Sequence, residues 1–547
     1  MKNLLCAVSA AALLCIASAL EPGRDYALMI DAGSTGSRIR LFSWAERVFT
    51  TLPPPLSVPI QQEDFLYKVT PGIGTDAGRA ELAKLVAAAK ADPQLKDDES
   101  RWSEIPVYLF ATAGMRILSM DAREQAFSEV RTILGDSGFK FAAQQARGKS
   151  LLQVSSCCPP QSIYTVISGE EEGVFGWLTA NSLLGKLPSA SPSAYVGALD
   201  MGGASTQITF VPTTSLLSNL FHVSLETDVQ QDVYTHSFLY LGLDKSRSRA
   251  NQLVMLNTTA TGGARDHPCM LRNGTTPYLL TVNDVGDNVP FRGAGDWDAC
   301  VAYYAYLMNT RTVCTTDAQN PGTLEPASSI PTARTGLPVG GRLPVIQAGG
   351  NNTCSVDGVY QPPLAGTPLV AFSGYTYLYE FFNLAATASP GQLAAAGRAF
   401  CSLSLQQAVA AHPGPVSFTV DYCATAAYIH TLWTVGFGID EDSHQITVAV
   451  GSNSSAYSYA YGSMLYEANS LTWQYAASGR KGTNSEDTWQ ILAFAFMGLF
   501  VVSLLVAIWA LVRVNRSGKS GGITSHNAAY SSSLNGSTIL GDAYSNP

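Results

Sequence analysis

Two stretches of the chain share one pattern of apolar and polar positions. Residues 26–30 and 195–199 are aliphatic and aromatic runs of the kind that form buried strands, and each leads into an aspartate, Asp31 or Asp200. A Gly/Ser/Thr turn follows in both, then a second alternating run, so that DAGSTGSRIRLF (31–42) and DMGGASTQITF (200–210) read as a repeated β-hairpin. Apolar residues at helical spacing predict helices over 78–91 and 121–134, the second with Asp121 as its N-cap. Between them, 107–110 reads as a short buried strand that runs into ATAGMR (111–116). Another strand, 163–168, breaks at Gly169 into Glu170, Glu171 and Glu172 ahead of an aromatic helix. The stretch 216–349 is richer in loops, with a Pro/Gly/Thr-rich insertion at 322–341. Tyr375, Tyr377 and Tyr379 recur at period two within 371–382, which predicts one face of a strand, and helical segments follow at 391–411 and up to Trp433. Strands and helices thus alternate, the mark of an α/β fold.

A chain of 547 residues exceeds what one hydrophobic core supports, so two lobes are expected. The formal net charge is −9 and the basic residues are scattered, which excludes a polyanion-tracking groove and nucleic acid as a partner. Residues 1–19 carry one lysine, an apolar run and Ala17-Ser18-Ala19, which is either a cleaved secretory signal or an uncleaved anchor. A second apolar run, 491–512, holds 22 residues without a charge, with Trp489 and Trp509 near its ends and Arg513, Arg516 and Lys519 after it. It predicts a transmembrane helix with a cytosolic C-terminus and a lumenal or extracellular main body. Beyond it the Ser/Asn/Gly-rich tail is expected to be disordered. Of ten cysteines, Cys6 and Cys15 fall in the leader; the remaining eight are an even number, as suits an oxidising compartment. Sequons at Asn257, Asn273, Asn351 and Asn453 agree with that location.

The repeated hairpin carries the candidate chemistry. Gly33, Gly36, Gly202 and Gly203 have no Cβ to hold a ligand off the backbone, so neighbouring N–H groups can point at one anion. An aspartate beside such a turn repels a bare phosphate but holds a hydrated divalent cation that bridges phosphate oxygens. Two facing hairpins of this kind would grip a metal-nucleotide. Thr112, directly after a strand end, is either placed to face a cleft or an ordinary β residue. Glu170 and Glu171 read as solvated residues of a helix N-terminus, favoured there by the macrodipole. The three tyrosines are either core residues or a stacking platform for a nucleobase. His236 reads as a packed, hydrogen-bonded histidine rather than a ligand. No separate acceptor-site aspartate of a sugar-kinase type is found, and no DKTGT-like nucleophile loop.

DAGSTGSR, ATAGMR, SGEEEGVFGW, ALDMGGASTQ and AFSGYTYLYEF fall in the order and spacing of the conserved regions of the nucleoside triphosphate diphosphohydrolase, or ecto-apyrase, family, which the chain resembles over residues 26–471. The resemblance implies an α/β, two-lobed fold like that of actin, heat-shock 70 and the sugar kinases. Lobe I would be 20–167 with roughly 450–475, lobe II 168–449, a stalk 476–488, the membrane helix 489–512 and a tail 513–547. It also implies roles. Glu172 would be the general base, with Thr112, Ser205 and Gln207 orienting water. Ser34, Thr35, Gly36 and Ser37 of one turn, and Gly202, Gly203, Ala204 and Ser205 of the other, would bind phosphate. Asp31 and Asp200 would hold Ca²⁺ or Mg²⁺ through water, and Tyr377 would stack on the base with Phe437 as its partner. Arg116 and Tyr459 are further candidates; Tyr459 stands where the family has a tryptophan, which puts its packing against the metal-water shell or the base in doubt. The implied disulfides are Cys269 with Cys300, Cys314 with Cys354, and Cys401 with Cys423. Cys157 and Cys158 match no family pair and leave a vicinal disulfide or two intermolecular bonds open.

Residues 232–238 resemble the cell-surface branch of the family. The expected reaction is hydrolysis of nucleoside tri- and diphosphates to monophosphate and phosphate, with loose base choice, at the plasma membrane. The alternatives are a diphosphatase of the Golgi or endoplasmic reticulum lumen, and a non-catalytic nucleotide-binding ectodomain. A membrane helix is compatible with a homo-oligomer.

Overall fold

Strand β1 (Arg24–Ala32) lies between β2 (Ser37–Ala45), its antiparallel hairpin partner, and β4 (Val107–Ala111), which runs parallel to it; β3 (Ile60–Val69) continues the sheet antiparallel beyond β2. A six-stranded sheet repeats this order. There β5 (Gly197–Met201) has antiparallel β6 (Ser205–Phe210) on one side and parallel β9 (Leu369–Ser373) on the other, with β8 (Gln230–Leu239) antiparallel beyond β6. Strands β7 (Leu220–Ser224) and β10 (Ile446–Val448) form its edges. The registers match as well: Asp31 faces Arg38 and Asp200 faces Gln207, each at the mouth of its turn. The duplication visible in the two hairpins therefore extends to four strands on each side.

The computed structural model describes residues 20–141, 166–309 and 354–476, less 190, 217, 226, 228, 275–276, 282–287, 365 and 453. The leader, Cys157, Cys158, Cys314, Asn351, Asn453 and the apolar run 491–512 lie outside these residues. Among the described residues no helix is long and apolar enough to cross a membrane.

Alternation along β1 sends its side chains to two different cores. Tyr26, Leu28 and Ile30 pack with Leu82 and Leu85 of α1 (Asp76–Ala91) and Phe127 and Val130 of α2 (Met120–Gly135). Ala27 and Met29 face the other way, into a middle core that also takes Ala198, Val370 and Phe372 from the second sheet. Filling the space between are α3 (Gly169–Leu183) and α9 (Tyr459–Ser470). Contacts all round explain why α3 has no polar face. The two helices cross so closely at Gly462 that a Cβ there would run into the carbonyl of Phe175. A third core lies beyond the second sheet, where Leu199, Ile208, Phe210 and Phe238 meet α5 (Trp297–Met308) and α8 (Tyr422–Thr431). The disulfide Cys269–Cys300 ties into α5, and Cys401–Cys423 joins the end of α7 (Pro390–Cys401) to α8; Cys354 is also disulfide-bonded.

Three expectations change. The N-cap of α2 is Ser119, whose Oγ accepts from the Ala122 N–H, so Asp121 sits inside the first turn. The region 216–349 holds, besides loops, β7, β8, α4 (Leu243–Asn257) and α5, because its apolar residues are spaced for faces packed on the second sheet. The tyrosines of 371–382 are helical. The strand ends at Ser373, in the left-handed region at φ +63°, and α6 (Gly374–Phe381) begins. Tyr375 and Tyr379, one helical turn apart, pack on Trp433 at ring separations of 5.3 and 6.0 Å, while Tyr377 points out and is 55% exposed. Tyrosines at i, i+2 and i+4 fit period two, but Tyr375, Leu378 and Tyr379 also fit a helical stripe, and burial of that stripe decides.

Candidate active site

The two turns close alike. Gly33 N–H donates to the Gly36 carbonyl and Gly202 N–H to the Ser205 carbonyl, both at 2.9 Å. The N–H groups of Ser34, Thr35, Gly36, Gly203 and Ala204 make no hydrogen bond to the described residues. Nor do the turns point apart. A Cβ on Gly203 would fall 2.7 Å from Ser34 Oγ and 3.1 Å from Thr35 Cγ2, so the tips meet across the two sheets. ATAGMR joins them from β4: a Cβ on Gly114 would lie 2.6 Å from Ser34 Cα. Free backbone donors gathered from two turns form a cradle for an anion. Ser37 Oγ, at the start of β2, is buried without a partner among the described residues, and Thr112, buried at the end of β4, makes no side-chain hydrogen bond to a described residue.

Glu172 stands in the first turn of α3 and is buried beside this cradle. Arg116 donates from Nη2 to Glu172 Oε2 (2.7 Å) and Ser205 Oγ (3.0 Å), and from Nη1 to the Ile167 carbonyl (3.0 Å). Gln207 Nε2 lies 3.1 Å from the same Glu172 oxygen, 2.8 Å from Ser205 Oγ and 2.9 Å from Ser237 Oγ. Burial pushes the Glu172 carboxyl above the usual range while the Arg116 guanidinium pulls it back, leaving a carboxylate more basic than an exposed one. Gln207 Oε1 is buried without a hydrogen-bond partner among the described residues, an acceptor still open. Glu171 corrects an expectation: it is buried and its Oε2 accepts from the Ser168 N–H while Ser168 Oγ accepts from Glu171, a capping box rather than a solvated side chain.

The two aspartates differ in their surroundings. Asp31 Oδ1 accepts from Tyr459 Oη at 2.8 Å, and Oδ2 lies 3.4 Å from Arg38 and 3.8 Å from the buried Arg40. Asp200 has no ion pair with a described residue. Burial first, then Glu172, push it up to about 8, against a hydrogen bond from Ser373. A buried carboxylate without a counter-charge fits a cation site; Asp31, already neutralised by arginine, fits less well. No group of three or more His, Cys, Asp or Glu side chains among the described residues could cage a metal, so an ion here would take most of its ligands from phosphate and water.

Tyr377 and Phe437 are not brought together as a pair of open faces. Phe437 is only 3% exposed, with its ring packed on Phe238 in the third core. Tyr377 instead shares a helix face with Phe381, which stacks on Tyr422 at 3.6 Å and lines a cavity of about 360 Å³ with His412, Phe418 and Tyr422. The Tyr377 hydroxyl also interacts with Arg38. Sequence reasoning missed Tyr422, Ser373 and the arginine pair at Asp31; the alternation of Arg38 and Arg40 along β2 was the available signal. His236 packs edge-on to Phe238 at 4.6 Å, and burial lowers its pKa to about 4; its Nδ1, however, has no hydrogen-bond partner among the described residues.

An anion cradle beside a basic buried carboxylate is an arrangement that can serve phosphoryl transfer to water, since such a cradle can hold charge and such a carboxylate can take a proton. Sequence comparison narrows that class. The chain belongs to the GDA1/CD39 (nucleoside phosphatase) family, whose model matches residues 18–320 and 347–482. It is therefore a nucleotide phosphohydrolase. It is similar to ectonucleoside triphosphate diphosphohydrolase 8 of Bos taurus, 30% identical over 452 residues that cover 78% of each chain. Ectonucleoside triphosphate diphosphohydrolase 2 of Homo sapiens is 28% identical, covering 91% of this chain and 92% of its own. Among solved structures, nucleoside triphosphate hydrolases from Neospora caninum align with a TM-score of 0.49 at 17% identity, covering 86% and 98% of the two chains.

Proposed function

We propose that the protein hydrolyses nucleoside tri- and diphosphates at the terminal phosphate, outside the cytosol, with Glu172 as the general base. The observation that carries this reading is the meeting of two turns with free N–H groups beside a buried glutamate. The terminal phosphate would lie among the N–H groups of Ser34, Thr35, Gly36, Gly203 and Ala204, between Ser37 on one turn and Gly202 and Ser205 on the other. Glu172 Oε1, which no described residue engages, would take the proton of the attacking water. Gln207 Oε1 would accept the second water hydrogen, and Ser205 and Thr112 would fix the water's position. Asp200, with Asp31 further back, would hold a hydrated Ca²⁺ or Mg²⁺. When bound, that ion neutralises charge on the phosphate oxygens. Tyr377, exposed on α6, would offer a flat face to any base, so base choice would be loose. Disulfides at Cys269–Cys300 and Cys401–Cys423 support an oxidising location.

The test is phosphate release from ATP, ADP, UDP and GDP by the purified protein with Mg²⁺ or Ca²⁺. Glu172→Gln should lower turnover on the order of 10²-fold or more, and a chelator should abolish it. Unchanged turnover in Glu172→Gln would remove this residue from the mechanism, and activity that survives chelation would remove the cation.

A further inference from the structure

We propose that Arg116 is a positioning residue that presents Glu172 to the attacking water, holding one carboxylate oxygen so that the other alone is left to accept a proton. This rests on the reading of Glu172 as the base. Arg116 belongs to a single helical turn, Ala113–Arg116, that follows β4 of the first sheet, and its guanidinium reaches three partners on other elements. One is the Ile167 carbonyl just before α3, at 3.0 Å; the second is Glu172 Oε2 in the first turn of α3, at 2.7 Å; the third is Ser205 Oγ at the start of β6, at 3.0 Å. A planar guanidinium fixed at the carbonyl can meet the other two only with its plane set, so its orientation is transmitted to the carboxylate. Gln207 Nε2 approaches the same oxygen at 3.1 Å. Both donors therefore converge on Oε2, and no described residue donates to Oε1. Ser205 Oγ accepts from Arg116 and from Gln207 at 2.8 Å, so its own proton must point elsewhere, into the site.

Of the five guanidinium N–H donors, the three contacts engage one on Nη1 and both on Nη2. Nε–H and the second Nη1–H are left for the alternative role, a direct clamp on phosphate, which the variants below distinguish. The side chain is also only 14% exposed. Lysine cannot replace it, because a single ammonium cannot span a carbonyl, a carboxylate and a hydroxyl in one plane.

The experiment compares Arg116→Met, Arg116→Lys, Glu172→Gln and the double variant Arg116→Met/Glu172→Gln in the full chain. Steady-state ATP hydrolysis with Mg²⁺ is measured alongside binding of a non-hydrolysable ATP analogue. Arg116→Met is expected to lower kcat on the order of 10²-fold with KM and analogue affinity within about twofold, and Arg116→Lys to recover only part of that loss. In the Glu172→Gln background the arginine substitution is expected to cost almost nothing more, since both changes disable one unit. Added guanidinium should raise kcat of Arg116→Met and leave Glu172→Gln unmoved. A KM or analogue affinity that worsens at constant kcat overturns the proposal in favour of a phosphate clamp. An equal loss in both backgrounds overturns it too, because Arg116 then acts without Glu172. If Glu172→Gln by itself leaves turnover intact, the base assignment fails rather than the arginine's geometry. Should Arg116→Met fail to fold, full activity in Arg116→Lys still counts against the proposal.

Discussion

Ser373 sits at φ +63°, ψ −117°, where a side chain is strained. The strand above it, β9, and the helix below it leave no room for relaxation: a Cβ on the next residue, Gly374, would lie 2.7 Å from Met201 Cγ. The strain coincides with a hydrogen bond to Asp200, so stability and site geometry pull in opposite directions at this residue. Ser373→Gly should raise the unfolding free energy by about 1 kcal/mol while lowering turnover through loss of the hydroxyl. Ser373→Ala should lower turnover with no gain in stability. Melting temperature and phosphate release on the same samples decide, and a glycine variant that loses both would show that the backbone there is not strained. Tyr459 is the comparable case around Asp31, one hydroxyl inserted where the family pattern has an indole. From sequence this was only a departure; in the folded chain it is a donor 2.8 Å from the carboxylate.

At the scale of elements, the helices that matter most are those least recognisable by amphipathic pattern. α3 is buried along nearly its whole length and α9 is held against it at a glycine. Gly462→Ala should cost about 1–3 kcal/mol of stability by forcing the helix pair apart. Gly135→Ala near the end of α2, where a Cβ meets nothing within 4 Å, should be neutral or slightly stabilising. Equal melting temperatures for the two variants would argue against tight contact between α3 and α9. Since α3 carries Glu172 and α9 carries Tyr459, a shift at this crossing would reach both the glutamate and Asp31. Capping was only partly legible. Ser168 with Glu171 is a standard capping box, yet three glutamates in a row invited a solvated reading; what withdrew Glu171 from water was its position over the middle core.

For the whole molecule, pH acts through a residue far from the turns. His267 is buried next to the Cys269–Cys300 disulfide. Its Nδ1 accepts from the Cys269 N–H at 3.2 Å and its Nε2 meets Asn251 Oδ1 at 3.0 Å, which fixes the neutral form with the proton on Nε2. Burial lowers its pKa from 6.5 to about 3. An unfolded chain takes up this proton at about 6.5 and the folded one does not. The stability present above that pH is therefore lost as pH falls through it, by up to about 1.4 kcal/mol per unit until the folded pKa is reached. Between pH 7 and pH 5, denaturant unfolding should show a smaller loss of stability in His267→Gln than in the parent, with His236, whose pKa burial lowers to about 4, still contributing its own share; an unchanged pH dependence would assign the effect to other groups.

Sequence alone determined the repeated hairpins, the aspartate at the mouth of each turn, the glycines between free N–H groups and the glutamate at the head of a helix. These are local: they follow from alternation, from missing Cβ atoms and from the order of a few neighbouring residues. Tertiary structure decided which of them meet. Arg116 reaches Glu172 across 56 residues and Ser205 across 89, and Tyr459 reaches Asp31 across 428. No local pattern encodes such pairs, because they exist only once two sheets close on the helices between them. The same closure buried Phe437, turned Tyr375 and Tyr379 inward and left Tyr377 exposed, choosing among faces that the spacing of side chains had left equivalent.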